Sequence, residues 1–351
     1  MPHPLAGDLD HILEHTSNVW PELRHANIFI TGGTGFVGIW LLESLLWAED
    51  RHHLGLHATA ITRGPAAFAR KAPHLAAHPA LSLLEADATS FPFPEGPFPF
   101  VIHASAERHF APVPEHPLST FDRDVKATRR VLEFARTHST RRLLFTSSGA
   151  VYGKQPPTLT HIPEDYPGAP STTDLASPYG QSKRVSEWMC AMYAAQYGFA
   201  PLITRLFTFV GPHLPLDINF AVGNFIRDAL AGTPIRIAGD GTPYRSYLYA
   251  ADLAIWLWTI LVAGQPSRPY NVGSAEEITI AGLARTVAES TRPGTPIEIA
   301  RQPIPGSPPA RYVPNVTRAA EELNLRPLIS LPEGIRRTCD WQRIGRNVYS
   351  K

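Results

Sequence analysis

The chain has 351 residues, 44% of them hydrophobic, so it can bury a large core in one or two domains. Its formal net charge of +1 excludes the strong positive field that attracts nucleic acids and anionic membranes. The 2 cysteines provide no disulfide framework, and the 15 histidines are scattered without metal-ligand spacing, so we expect solvated histidines and no metal site.

Residues 1–25 precede the first predicted strand and form an N-terminal extension. A short helix over residues 8–15 is predicted to end at Trp20-Pro21, and we assign this extension to packing rather than to chemistry. It contains no apolar segment of the signal-peptide type, and the most apolar predicted helix, 251–263, is too short to span a bilayer. We therefore expect a cytoplasmic protein without a membrane partner.

The clearest pattern lies in residues 26–38, where a short apolar strand is followed by TGGTGFVG and an apolar helical pattern. A strand, a glycine turn and a helix in this order open a Rossmann unit. We predict that Gly32 permits the tight turn, Gly35 lets the backbone approach a pyrophosphate, and Gly38 lets the helix pack closely. The N-terminus of the helix then offers free N–H groups to the phosphates, which predicts dinucleotide binding.

Apolar runs and helical patterns alternate along the first 212 residues. The predicted strands cover residues 26–31, 57–62, 81–84, 100–103, 142–146 and 202–206, and the predicted helices cover residues 37–47, 119–137 and 179–197. This alternation predicts an α/β fold with a Rossmann-type, doubly wound parallel sheet.

After residue 212 the predicted elements become shorter. They are helices at residues 225–231, 251–263, 280–290, 317–323 and 332–341, and strands at 235–237 and 245–249. We predict three parts: the extension 1–25, an NAD(P)-binding Rossmann domain at 26–212 joined by part of 246–275, and a smaller mixed α/β lobe at 213–351. The lobe is expected to cover the carboxyl ends of the sheet strands, where open α/β sheets bind ligands.

Tyr179 and Lys183 lie in the pattern YGQSK, four positions apart on one face of a predicted helix. A tyrosine ordinarily titrates near pH ~10, and a neighbouring ammonium group favours its phenolate form. Ser148, at the end of a predicted strand, can hydrogen-bond both the phenol and a substrate hydroxyl. A Tyr-x-x-x-Lys spacing is common by chance, but downstream of a nucleotide-binding pattern it predicts a proton relay beside a nicotinamide.

Further motifs follow in a specific order: Asp87, HASA at 103–106, TSSGAVYG at 146–153, RLFTFVGP at 205–212 and GDGTPYRSYLYAAD at 239–252. Together with the glycine turn and YGQSK, this order resembles the extended short-chain dehydrogenase/reductases, in particular the nucleotide-sugar epimerase/dehydratase branch. The resemblance covers about residues 26–345.

The resemblance implies NAD as the cofactor, with NADP as an alternative, and a nucleotide-diphosphate sugar as the substrate. The implied cofactor-binding residues are Gly32, Gly35, Phe36, Val37, Asp87, Ala88, Ala104, Ser105, Tyr179 and Lys183. Tyr179 is implied to be the catalytic base, Lys183 to hold the nicotinamide ribose, and Ser148 to align the sugar hydroxyl. Arg245 and Arg311 match positions that contact the diphosphate, a task suited to a guanidinium fork, although each can also be a surface ion pair.

The chain departs from the pattern of this branch at several positions. Dehydratases carry an acidic pair just after the catalytic Ser/Thr, where this chain has Gly149 and Ala150. Thr208 and Asp124 stand where asparagine is usual. Arg63 stands after the second strand in place of an acidic residue. It can pair with the 2′-phosphate of NADP or stack on the adenine of NAD, and of these two cofactors we favour NAD slightly.

The resemblance, with Ser148, Tyr179 and Lys183 intact, implies hydride transfer at C4 of a nucleotide-linked hexose, giving either 4-epimerisation or reduction of a 4-keto sugar. Alternatives are a 4,6-dehydratase or a uronate decarboxylase that uses an acid from another loop. The loop carboxylates available for this are Glu107, Glu164 and Asp165. A catalytically silent nucleotide-sensing protein is a further alternative, although the intact Ser148, Tyr179 and Lys183 argue against it.

A homodimer is also expected, because two long helices of each subunit form a four-helix interface in this family. The matching helix, residues 183–197, carries apolar side chains around more of its circumference than one core contact needs. These side chains are Trp188, Met189, Met192 and Tyr193.

Overall fold

The structure is a computed structural model that describes residues 3–106, 116–218 and 220–349, with side chains described up to residue 344. Glu107, one of the loop carboxylates considered above, lies outside these ranges. Within them, none of the helices combines the length and the apolar character that crossing a membrane requires.

The strands are β1 (Asn27–Thr31), β2 (His57–Thr62), β3 (Leu81–Glu85), β4 (Phe100–His103), β5 (Arg142–Ser148), β6 (Ala200–Leu206), β7 (Phe209–Val210), β8 (Ile235–Ile237), β9 (Tyr244–Arg245), β10 (Leu248–Tyr249), β11 (Pro269–Val272), β12 (Ile278–Thr279), β13 (Ile297–Ile299) and β14 (Arg311–Tyr312). The helices are α1 (Ala6–His15), α2 (Phe36–His52), α3 (Pro65–Lys71), α4 (Pro73–Ala76), α5 (Pro117–Thr137), α6 (Pro178–Tyr197), α7 (Ala221–Ala231), α8 (Ala250–Ala263), α9 (Ile280–Thr291), α10 (Thr317–Leu323) and α11 (Leu331–Tyr349). Short 3-10 turns cover Trp20–Leu23 and Gly149–Tyr152.

The central feature is a seven-stranded sheet with the order β11-β6-β5-β4-β1-β2-β3. From β6 to β3, each neighbouring pair runs parallel, and helices connect the successive strands except β3 and β4, which a loop joins. The strand order reverses between β1 and β4, as expected for a doubly wound Rossmann-type fold. The predicted fold class is therefore confirmed.

The chain forms two compact units. Unit 1 comprises residues 1–153, 168–206 and 254–270, and unit 2 comprises residues 154–167, 207–253 and 271–351. Residues 1–25, predicted as a separate extension, group with unit 1, whereas residues 154–167 and 207–212 of the predicted Rossmann domain group with unit 2. Gln155 explains part of the difference, because its side chain accepts a hydrogen bond from the N–H of Val313 in the same unit, at 2.9 Å.

An aromatic cluster fills the core of unit 1 on one side of the sheet. Phe29 of β1 packs against Phe91, Phe98 and Phe134, with ring centroids 4.3 to 5.8 Å apart, and all four side chains are buried. Apolar burial of this kind contributes about 25 cal/mol per Å² of area removed from water. It fixes β1, and with it the glycine turn that follows.

Two predicted elements differ from the observed ones. The predicted strand 245–249 is two strands, β9 and β10, because β9 pairs with β12 and β14 whereas β10 pairs with β7. Helix α1 ends at His15, and Trp20–Leu23 forms a separate 3-10 turn rather than the end of that helix.

Candidate active site

The glycine turn after β1 has the conformation that its residues permit. Gly32 has a φ of +71°, and a Cβ added to it would lie 2.5 Å from the backbone of Ala104, so a side chain is excluded on both grounds. A Cβ on Gly38 would lie 2.2 Å from the Gly32 carbonyl oxygen, so α2 packs directly on the turn. At Gly35 an added Cβ would meet only that oxygen, at 3.4 Å. The backbone at Gly35 is thus accessible at the N-terminus of α2, which fits a pyrophosphate.

The other residues implied for the cofactor lie in unit 1 around the ends of the parallel strands. Phe36 and Val37 begin α2, and Arg63 is exposed directly after β2. Ala104 and Ser105 follow β4, where the Ala104 N–H donates to the Thr31 carbonyl at 3.0 Å.

Asp87 and Ala88 follow β3. The Asp87 carboxylate accepts hydrogen bonds from the N–H and the hydroxyl of Thr89, at 2.9 and 2.7 Å, and pairs with Arg123 at 2.9 Å. Partial burial opposes ionisation, but the Thr89 hydrogen bonds and the Arg123 charge outweigh it and hold the pKa of Asp87 below its usual range. Asp87 is therefore an anionic acceptor beside the sheet edge.

Lys183 is fixed between α6 and β5. It is 2% exposed, and its Nζ donates a hydrogen bond to the carbonyl of Thr146 at 2.9 Å. The ammonium lies 4.8 Å from the centroid of the Phe145 ring and 5.7 Å from that of Tyr179. A buried ammonium needs such partners because burial removes its water. Lys183 and Tyr179 therefore share one face of α6, as their spacing predicts.

Ser148 ends β5, two residues after the carbonyl that Lys183 contacts. Its Oγ accepts the N–H of Ala150 at 3.1 Å and so caps the 3-10 turn Gly149–Tyr152. Because the hydroxyl acts as acceptor in this contact, its own proton can be donated to another group. Tyr179, Lys183 and Ser148 thus belong to one unit, and neighbouring contacts between β5 and α6 hold them together.

His103 corrects the expectation that the histidines are solvated. It is 2% exposed at the end of β4, with Nδ1 at 2.7 Å from the Thr31 hydroxyl and Nε2 at 3.0 Å from the Thr128 hydroxyl. Burial, together with the positive charge of Lys183, lowers the pKa of His103 from 6.5 to about 3. The imidazole is therefore neutral at physiological pH and serves as a hydrogen-bonding group of the core.

An ion pair next to Ser147, between Arg205 and Glu187, was not predicted from the sequence. Arg205 of β6 donates to Glu187 of α6 at 2.7 Å, and Glu187 also accepts the hydroxyl of Ser147. Arg205 further donates to the hydroxyl of Tyr152 at 2.9 Å. Burial disfavours the charged form of Arg205, but the Glu187 carboxylate outweighs this effect and holds the pKa of Arg205 above its usual value. The position of Glu187, one helical turn after Lys183, was the available signal.

Asp124, which replaces the usual asparagine, is buried on α5 and accepts the hydroxyl of Ser182 at 2.9 Å. Thr208, the other replacement, donates its hydroxyl to the carbonyl of Ser246 within unit 2. Both residues therefore have structural contacts at the places where the sequence departs from the family pattern.

The loop carboxylates considered for dehydration have other environments. Glu164 is 7% exposed and accepts the N–H of Asn271 at 3.0 Å in unit 2, and the next residue, Asp165, is exposed. Gly149 and Ala150 form part of the 3-10 turn after Ser148 and have no ionisable atoms.

Arg245 and Arg311 come together within unit 2. Strands β9 and β14 run parallel, so Tyr244 is paired with Arg311 and Arg245 with Tyr312. The Arg311 guanidinium lies 4.1 Å from the Tyr244 ring centroid, and that of Arg245 lies 6.0 Å from the Tyr312 ring centroid. Arg311 also pairs with Glu277, so the ion pair foreseen as an alternative is present for this arginine.

Comparisons with known proteins agree with this architecture. The family model described as "NAD dependent epimerase/dehydratase family" matches residues 28–273. The chain is 31% identical over 314 residues to UDP-glucuronic acid decarboxylase 5 of Arabidopsis thaliana, covering 88% of this chain and 86% of that protein. It is 30% identical over 321 residues to UDP-glucuronic acid decarboxylase 3 of the same plant, covering 90% and 87%.

Solved structures give the same result at the level of the fold. The UDP-glucose 4-epimerase of Thermus thermophilus, solved in complex with NAD, superposes with a TM-score of 0.74 at 26% identity, covering 90% of this chain and 99% of that chain. The UDP-glucose 4-epimerase of Thermotoga maritima, solved with UDP-glucose, superposes with a TM-score of 0.76 at 22% identity, covering 91% and 99%.

The fold is thus the Rossmann-type α/β fold that these solved 4-epimerases share. Since the family model spans most of the chain and a curated relative is 31% identical, the chain belongs to the NAD dependent epimerase/dehydratase family.

Proposed function

We propose that the chain is an NAD-dependent enzyme that transfers hydride at C4 of a nucleotide-diphosphate hexose, as a 4-epimerase or a 4-keto sugar reductase. The observation that carries this proposal is the anchored Lys183 ammonium beside Tyr179, with Ser148 two residues beyond the lysine's acceptor on β5. Tyr179 takes the proton of the C4 hydroxyl, Lys183 holds the nicotinamide ribose, and Ser148 aligns the sugar hydroxyl.

The proposed cofactor site is the first turn of α2, supported by the accessible backbone at Gly35 and the partial positive charge of the helix N-terminus. Phe36 and Val37 continue this turn, and Asp87, Ala88, Ala104 and Ser105 are proposed to line the remainder of the cofactor site. When bound, the nicotinamide supplies the acceptor and the donor of hydride. We propose NAD because of the family description and the NAD complex of the Thermus thermophilus relative.

The substrate is proposed to be a nucleotide-diphosphate sugar, whose diphosphate Arg245 and Arg311 bind in unit 2. Two guanidinium groups held on neighbouring strands suit two phosphates, because each can donate two parallel hydrogen bonds. The cross-strand tyrosines support this assignment, since the Tyr244 ring lies 4.1 Å from the Arg311 guanidinium and the Tyr312 ring lies 6.0 Å from that of Arg245.

Decarboxylation of a nucleotide-linked uronate is a second candidate, favoured by the curated relatives at 30% and 31% identity. Oxidation of such a sugar at C4 would make a β-keto acid. The carboxylate on C5 would leave as carbon dioxide, the resulting enolate would take up a proton at C5, and hydride would then return to C4. Ser148, Tyr179 and Lys183 serve the hydride steps of this reaction in the same roles.

A homodimer through α5 and α6 is proposed as the assembly. On α6, Trp188 is 62% exposed, Met192 is 39% exposed and Tyr197 is 48% exposed, whereas Met189 is buried in the core of unit 1. Exposed aromatic and methionine side chains on one helix are typical of an interface.

A panel of substrates separates these functions. UDP-, dTDP-, GDP- and CDP-hexoses, 4-keto sugars and UDP-glucuronate are each incubated with the protein and NAD or NADPH, and the products are identified by NMR. Interconversion of C4 epimers identifies an epimerase, NADPH consumption with a 4-keto sugar identifies a reductase, and release of carbon dioxide identifies a decarboxylase. Cofactor binding without turnover of any substrate would contradict the proposal and favour the nucleotide-sensing alternative.

A further inference from the structure

A buried carboxylate lies on α2, apart from the residues assigned to the cofactor. Glu43 is 2% exposed. Its Oε1 lies 2.9 Å from Nε2 of His74, and its Oε2 lies 3.4 Å from Nε2 of His3. Both histidines therefore aim the same ring nitrogen at one carboxylate, and each oxygen of that carboxylate has its own imidazole.

The three side chains come from separate segments of unit 1. His3 precedes α1, Glu43 lies in the middle of α2, and His74 lies in α4. The two imidazole rings have centroids 5.0 Å apart in an edge-to-face arrangement, and the three ligand atoms lie within 4.8 Å of one another. The spacing of these residues along the chain predicted no metal site, because only the packing of α2 against its neighbours brings them together.

We propose that His3, Glu43 and His74 bind a divalent transition-metal cation, with Zn²⁺ as the best match. Two imidazole nitrogens and one carboxylate form a typical ligand set for zinc, and a fourth position is left for water. Zinc ligands at about 2.0–2.1 Å from the ion lie roughly 3 to 3.5 Å from one another. The two nitrogen–oxygen distances, 2.9 and 3.4 Å, are close to this range.

An ion can reach this position from solvent. His74 is 41% exposed at its side chain, which gives an ion a path from solvent.

Binding of the ion requires one rearrangement at His3. The N–H of Leu5 now points at Nδ1 of His3 at 3.2 Å, which leaves the ring proton on Nε2. A metal at Nε2 moves that proton to Nδ1, so the contact with Leu5 must open. The ion then takes the place of the contacts that His3 and His74 make with Glu43. It joins residues 3–5 to α2 and α4 and so stabilises the N-terminal segment.

The test uses the untagged chain, because a polyhistidine tag would itself bind metal. After treatment with a chelator and its removal, the protein is titrated with Zn²⁺ by calorimetry, and Co²⁺ absorption reports the coordination. We expect one equivalent of Zn²⁺ to bind and to raise the melting temperature. His74→Ala and His3→Ala are each expected to weaken binding at least tenfold and to abolish the shift in melting temperature.

The matched control is His78→Ala, since His78 also contacts an acidic residue of α2, Asp50, at 3.1 Å. This variant is expected to bind Zn²⁺ like the unmodified chain. A second control, His15→Ala, removes one member of the neighbouring group His11, Glu14 and His15 on α1. The proposal is overturned if the unmodified chain binds no Zn²⁺, or if binding survives His74→Ala and His3→Ala; loss of binding in His15→Ala would then place the ion on α1.

Discussion

Gly180 lies so close to Ala150 that a Cβ added to the glycine would be 2.7 Å from the alanine carbonyl oxygen. The first turn of α6, which carries Tyr179, therefore rests directly on the 3-10 turn that follows Ser148. No residue with a side chain fits at position 180 without moving one of these two segments. This close approach sets the relation between the proposed base and the proposed serine.

Replacement of Tyr179 with phenylalanine is expected to lower turnover by a factor of about 10²–10⁴ or more, because only the proton acceptor is lost. Cofactor binding and the melting temperature should stay close to those of the unmodified enzyme, since the ring remains. Tyr197→Phe, on the exposed end of the same helix, is the matched control and should retain activity. Activity of Tyr179→Phe within tenfold of the unmodified enzyme would contradict the proposed relay.

His103 makes the stability of the fold depend on pH. Its pKa falls from 6.5 to about 3 on folding, so between these values the unfolded chain binds a proton that the folded chain does not. The contribution of His103 is fully present above pH 6.5 and decreases as the pH falls, by up to about 1.4 kcal/mol per pH unit. Urea denaturation at several pH values should show a shallower acid dependence in His103→Gln than in the unmodified chain.

His15→Gln, the same change at an exposed position, is measured alongside for comparison. An equally steep acid dependence in His103→Gln would mean that other groups cause the loss of stability.

We expect the enzyme not to dehydrate a sugar across C5 and C6. That reaction needs a base for the C5 proton and an acid for the leaving oxygen, and the loss of each group typically costs about 10²–10⁴ in rate. Gly149 and Ala150 cannot supply either, and Glu164 is buried against Asn271 in unit 2. The test is incubation with dTDP-glucose and UDP-glucose. Rapid accumulation of a 4-keto-6-deoxy sugar would refute this expectation.

Arg63 is expected to contribute to cofactor choice, since it is exposed directly after β2. An acidic residue at this position accepts hydrogen bonds from the adenosine ribose and repels a 2′-phosphate. Arg63→Asp should therefore weaken NADP(H) binding more strongly than NAD(H) binding, as measured by fluorescence titration. If the unmodified enzyme binds NADP(H) at least tenfold more tightly than NAD(H), the preference for NAD proposed here is wrong.

Trp188→Glu is expected to shift the mass in light scattering at micromolar concentration from a dimer towards a monomer. The exposed tryptophan would lie in the interface, and a buried unpaired carboxylate is costly there. Leu175→Glu is the control, because Leu175 is also an exposed apolar residue, at 73%, but lies in the loop before α6. A monomeric mass for the unmodified chain would contradict the dimer.

Local patterns in the sequence determined the nucleotide-binding half of the fold. The apolar strand, the glycines and the helical pattern of residues 26–38 are adjacent in the chain, and backbone geometry gives each of them a direct meaning. The observed β2 (His57–Thr62) and β4 (Phe100–His103) coincide with the predicted strands for the same reason. The i,i+4 relation of Tyr179 and Lys183 also needed nothing beyond the pitch of a helix.

Only the tertiary structure decided which distant residues meet. The burial of His103, the pairing of Glu187 with Arg205, and the separation of 245–249 into two strands all depend on neighbours far away in the chain. The convergence of His3 and His74 on Glu43 is of the same kind. A local pattern fixes the conformation of a segment, but the partner of a side chain depends on how whole segments pack, and many packings are compatible with one pattern.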